Sequence, residues 1–134
     1  MREIKYIVIH CTATQQNTTV ESILRYWKEK LKWENPGYHF IIKTDGEVVN
    51  LLPIEEVSNG VQGFNHECIN IAYIGGIDDK GKAIDNRTPE QVKAMKNLID
   101  SLWFNGVIVQ GHRDFPNVHK NCPSFDVKKW YYGK

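Results

Sequence analysis

An α/β domain of the α+β-like kind, with a central mixed β-sheet flanked by helices, is what the sequence predicts, and three observations carry it. Ile4 to His10 is an almost unbroken apolar and β-branched run, as a strand buried on both faces requires. Two later segments repeat apolar residues at helical spacing behind a capping signal. Short strand-like runs stand between and after them, so helices alternate with strands and must cover a sheet.

The elements follow in order. Thr18 with Glu21 reads as a capping box, and the helix it opens puts Val20, Ile23, Leu24, Trp27 and Leu31 on one side. Asn35-Pro36-Gly37 breaks the chain. Tyr38 to Lys43 and Val48 to Leu52 read as strands joined at Asp45-Gly46, where glycine supplies the positive φ of a tight turn. Ile69 to Ile74 is a fourth strand ending in Gly75-Gly76, and Asp78 to Arg87 is a polar loop. Thr88, Pro89 and Gln91 together start a second helix, with an apolar face of Val92, Met95, Leu98, Ile99 and Leu102. Gly106 ends it, Val107 to Gln110 is a last strand, and the rest through Trp130 is loop with one helical turn.

The 134 residues suit a single domain spanning 1–134, with no repeat or linker visible. A net charge of +1 argues against a general nucleic-acid binder, which needs a basic face to neutralise phosphates. The opening apolar run is too short for a signal peptide or a membrane span, so membrane insertion is not expected. Three cysteines without close pairing point to synthesis in a reducing cytoplasm. Cys11 and Cys68 read as small core residues, Cys11 pointing away from the face that its neighbour His10 uses.

His10 closes the first strand, His112 follows the last, and Cys122 lies ten residues on, beside Pro123. Segments that end at one rim of a sheet deliver side chains to a common place. Two imidazoles and a thiolate suit Zn2+, and three ligands leave one position for water, the mark of a catalytic ion. On residue types alone, coincidence among five histidines accounts for the arrangement equally well. Lys120 is placed to stabilise an oxyanion, and the Tyr38 phenol to hydrogen-bond an attacking water.

The stretches IVIHCTAT, GYHFIIKTDGEV and GHRDFPNVHKNCPSFD, taken together, resemble the type 2 N-acetylmuramoyl-L-alanine amidases. That family includes small phage amidases and the peptidoglycan recognition proteins, and FNHECINIAYIGGIDDKGK looks especially like the phage branch. The resemblance runs from about Ile7 to Trp130. It implies zinc on His10, His112 and Cys122, catalytic roles for Tyr38 and Lys120, and a groove over the metal for the glycan-linked peptide. Phe64, Asn65 and His66 match a loop that borders this groove in relatives and are expected at the substrate; His39, beside the catalytic tyrosine, is expected there too, at the rim of the site or just behind its first layer of residues. Some members carry aspartate at the place of Cys122 or a glutamate base where Ala72 aligns. His119 is an additional candidate ligand.

The activity implied is hydrolysis of the lactyl–L-alanine amide of peptidoglycan by a monomeric phage or prophage endolysin, made without a signal peptide and released through a holin-like pore. A cytoplasmic muropeptide-recycling amidase, a non-catalytic peptidoglycan-binding module and a zinc hydrolase of another amide are the alternatives. Trp27, Trp33, Trp103 and Trp130 are expected to be packing aromatics, and Asp78 to Gly81 a polar turn without the spaced carboxylates of a calcium loop.

Overall fold

The computed structural model describes residues 2–133. Its strands are β1 (Tyr6–Cys11), β2 (Phe40–Ile42), β3 (Val48–Asn50), β4 (Cys68–Tyr73) and β5 (Ile108–Gly111), and its helices α1 (Val20–Glu29), α2 (Pro89–Leu102) and α3 (Val127–Tyr132). They form one mixed sheet in the order β3-β2-β4-β1-β5. β1 runs parallel to both β4 and β5, β2 is parallel to β4, and only the β2–β3 pair is antiparallel. The predicted sheet is therefore present, with β4 at its centre and β1 between β4 and β5.

Strand alternation divides the core in two. Ile7, Ile9, Ile71, Tyr73 and Val109 face Met95 and Ile99 of α2 and Val127 of α3. Val8 and Cys68 face the opposite way, toward Val61 and Phe115. On that second face Ile23 and Trp27 of α1 pack on Ile41 and Ile74. Burying each such side chain contributes about 1.5–3 kcal/mol. With α1 and α2 on opposite faces, the chain leaves the middle of the sheet in both directions, and a crevice opens beyond the carboxyl ends of β1 and β5.

Local chemistry sets the boundaries. Thr88 Oγ1 accepts from Gln91 N at 3.1 Å while Gln91 Oε1 accepts from Thr88 N at 2.9 Å, the predicted box at the start of α2. α1 departs from expectation: its cap is Thr19, which accepts from Ser22 N at 3.1 Å. Thr18 belongs instead to a preceding turn, its amide bound to Gln15 O. Only Ile23 and Trp27, one turn apart, are buried on α1; Leu24 is exposed, and Leu31 lies past the helix end and is exposed too. At the other end of the chain α3 is longer than one turn because the Asp126 side chain caps it and Gly133 closes it at φ +75°. Asp78 Oδ1 accepts from Lys80 N and Lys82 N, a polar turn as expected.

Candidate functional site

His10 reaches the crevice because the parallel register sets it opposite Ala72, whose small side chain leaves the ring room. It is 1% exposed, and its Nε2 lies 2.8 Å from Asn70 Oδ1, so Nδ1 is the nitrogen left for a ligand. Burial first, and then nearby His112, push its pKa down to about 3, which keeps the ring neutral with a lone pair. His112 opens a 3₁₀ turn directly after β5, and Asp114 Oδ2 steadies that turn by accepting from Gly111 N at 2.8 Å. Burial and then Lys120 lower the His112 pKa as well.

The intervening loop is closed by the backbone: Arg113 N donates to Cys122 O at 2.9 Å. Cys122 Sγ in turn accepts from Cys11 N at 3.2 Å. Hydrogen bonding with the Cys11 thiol and burial hold the Cys122 thiol above its ordinary range, while the Cys11 amide and Lys120 pull the other way. A cation among these groups tips the balance to thiolate. The donor atoms of His10, His112 and Cys122 lie within 4.8 Å of one another, and no other such group occurs among the described residues; His119 is outside it. Two imidazoles and a sulfur, one ring already hydrogen-bonded at its remote nitrogen, fit the donor set of a three-ligand zinc.

The cluster forms part of a groove of about 980 Å³. Tyr38 lies beside it, with its ring 5.0 Å from that of His10 and edge-on to Trp27 at 5.3 Å. The phenol donates to Cys11 O at 3.3 Å, and burial raises its pKa well above the usual value, so it stays a donor. Lys120 and Phe64 also line the groove, as do Trp27, Trp33, Asn59 and Gln62, which the sequence did not single out for it. Trp27 and Trp33 stack at 6.2 Å, so they pack as expected yet also present a face to the groove. Trp103, by contrast, is 44% exposed.

Residues 1–125 match the family described as N-acetylmuramoyl-L-alanine amidase. The endolysin of Escherichia phage T7 is 40% identical over 129 residues, covering 93% of this chain and 83% of that protein. The chain belongs to the type 2 N-acetylmuramoyl-L-alanine amidase family. A more distant relative, peptidoglycan-recognition protein SC2 of Drosophila melanogaster, is 27% identical over 136 residues, 92% of this chain and 70% of that one. Among solved structures, the Ph2119 endolysin from a Thermus scotoductus bacteriophage superposes with a TM-score of 0.79 at 27% identity, covering 92% of this chain and 79% of its own. The fold of Drosophila PGRP-LB matches with a TM-score of 0.72 at 20% identity, 92% of this chain and 76% of that chain.

Three residues expected at the substrate of this amidase-family chain do not line the groove. His39 is fully buried: its Nδ1 accepts from Asn70 N at 2.9 Å and its Nε2 donates to Glu56 O at 2.8 Å. Adjacent residues of an extended chain point opposite ways, so Tyr38 at the groove puts His39 in the interior. Asn65 is engaged locally, its Oδ1 accepting from Val61 N at 2.6 Å, and His66 is exposed on a 3₁₀ turn that does not line the groove. That segment is fastened from outside by Arg2, whose guanidinium donates to the carbonyls of Ile54, Asn65, His66 and Cys68 at 2.6–3.2 Å.

Proposed function

We propose that this chain hydrolyses the amide between the lactyl group and L-alanine in peptidoglycan, with zinc held by His10, His112 and Cys122. The observation that carries the reading is the convergence of two imidazoles and one thiol within 4.8 Å beside a groove of about 980 Å³. Zinc in such a site supplies Lewis acidity and an activated water. Neutral His10 and His112 offer lone pairs at physiological pH, since burial disfavours their charged forms.

Tyr38 is a proton donor held only by a long bond to Cys11 O, which it can exchange for the attacking water or the oxyanion. Lys120 brings a positive charge to the same wall, suited to the oxygen of the tetrahedral intermediate. No Asp or Glu lines the groove among the described residues, so proton transfer to the leaving amine falls to Tyr38 rather than to a carboxylate. Trp27 and Trp33 offer an apolar wall for the substrate.

Endolysin relatives favour a phage or prophage role for the chain, with peptidoglycan as its substrate. The amidase reading is tested by digesting purified sacculi and soluble muropeptides with and without chelator, read by mass spectrometry. New L-alanine amino termini without new reducing ends, lost with chelator and restored by zinc, are expected. Full activity in metal-free protein would overturn the zinc assignment, and cleavage of soluble muropeptides alone would replace the endolysin with a recycling enzyme.

A further inference from the structure

Asn70 interrupts the apolar run of β4, yet it is fully buried. A buried amide must have its polar atoms matched, and the partners here define a directed chain. It begins at a group whose polarity is fixed: the Asn70 backbone N–H donates to His39 Nδ1 at 2.9 Å. His39 is therefore an acceptor at Nδ1 and carries its proton on Nε2, which donates to Glu56 O; the Arg2 guanidinium, 3.1 Å from that nitrogen, is a donor only and makes no hydrogen bond to it in this tautomer. Ser58 Oγ lies 3.3 Å from the same Nδ1 and can only donate to it. Having given its hydrogen there, Ser58 accepts from Asn70 Nδ2 at 2.7 Å. That orients the side-chain amide with Oδ1 toward His10, 2.8 Å from Nε2. His10 must then hold its hydrogen on Nε2, leaving Nδ1 as the nitrogen with a free lone pair.

The geometry points to Asn70 as a positioning residue: with Ser58 and His39 it selects the His10 tautomer and ring orientation that a metal requires. The inference rests on the zinc reading above only for its functional consequence. The fold also makes space for this amide. A Cβ on Gly60 would stand 2.4 Å from Asn70 Cγ, so Gly60 admits the side chain where any other residue would displace it. Oriented ligands of this kind commonly raise metal affinity about 10- to 100-fold.

The test follows the His10 ring nitrogens by NMR in metal-free protein, alongside zinc affinity by chelator competition. Wild type is expected to show hydrogen on Nε2. Asn70→Leu should shift His10 toward the Nδ1–H or a mixed form and weaken zinc about 10- to 100-fold. Asn70→Asp, whose carboxylate accepts from His10 while Ser58 turns to donate, should restore both. Ser58→Ala and Gly60→Ala, which leave Asn70 in the sequence but free or displace its amide, should reproduce Asn70→Leu in part, and they decide the matter should Asn70→Leu not fold. Unchanged tautomer and zinc affinity within about twofold in folded variants would overturn the proposal. A wild-type protein that binds no zinc but whose tautomer shifts as described would instead overturn the metal reading and leave the positioning role standing.

Discussion

Lys120 and Cys122 stand two residues apart, and the roles proposed for them can be separated by substitution. Cys122→Ser and His112→Ala each remove a donor from the cluster, so zinc content and amidase activity should be lost together. Lys120→Ala removes charge from the groove wall and no donor; zinc stoichiometry should be unchanged while kcat falls about 10²- to 10³-fold, the usual cost of one oxyanion donor. Metal analysis beside steady-state kinetics checks both. His39 supplies a pH prediction. Burial holds its pKa below the ordinary value, with Arg2 adding to the effect against the Glu56 carbonyl. The stability this represents is complete above the unfolded pKa of about 6.5 and is lost as pH falls below it, because the unfolded chain then binds the extra proton. Urea midpoints of metal-free protein should thus drop between about pH 6.5 and 5, with a shallower slope in His39→Gln. The His10, His112 and Cys122 cluster was legible from sequence because each residue sits at or just after the end of a strand or beside a proline. His39 does not line the groove, as the alternation that excluded Cys11 from His10's face could have indicated. Asn70 left one signal, a polar residue inside an apolar run, but which groups would satisfy it depends on Ser58 and His39, distant in the chain.

Among the elements, α2 is fixed to the sheet by more than its apolar face. Gln91 closes the capping box and also donates from Nε2 to Ile42 O and Ile74 O, both at 3.1 Å. Gln91→Leu keeps the volume but leaves the Ile74 carbonyl and the Thr88 amide without these partners, while Ile42 O keeps only the Ile74 amide. A loss of about 2–3 kcal/mol is expected by chemical denaturation, with kcat unchanged because Gln91 does not line the groove. The box itself was readable, since its two residues are three apart; the bonds to β2 and β4 were not, since they depend on how the helix lies on the sheet. The same distinction explains α1. Its apolar period was correct, but Leu24 and Leu31 were assigned to the core because periodicity does not say how wide a stripe the sheet can cover. Trp33 escaped notice as a groove residue for a related reason: it follows the helix, where only tertiary packing against Trp27 places it.

Across the whole molecule, Arg87 links the polar loop to the carboxyl-terminal helix. Its guanidinium lies 3.4 Å from the Phe125 ring centroid and 4.8 Å from that of Trp130, and it pairs with Asp85 at 2.9 Å. Arg87→Ala should cost about 2 kcal/mol and loosen α3, seen as a lower Tm and altered Trp130 fluorescence. Arg87→Lys should recover little, since an ammonium cannot stack flat on Phe125 while bridging Asp85. Residues 1–134, read as one domain, should unfold in a single transition with coincident far-UV and near-UV signals.

The fastening by Arg2 of the segment that follows the groove residue Phe64 bears on the order of assembly. The carbonyls it gathers are 52–66 residues away along the chain, whereas the β2–β3 hairpin closes locally. Closing so long a loop sacrifices entropy before any contact repays it. In pulse-labelled hydrogen exchange, the amides of Val61 and Phe64 should therefore gain protection together with those of β1 and after those of the hairpin, which makes the Phe64 edge of the groove one of the last features to mature as the chain folds.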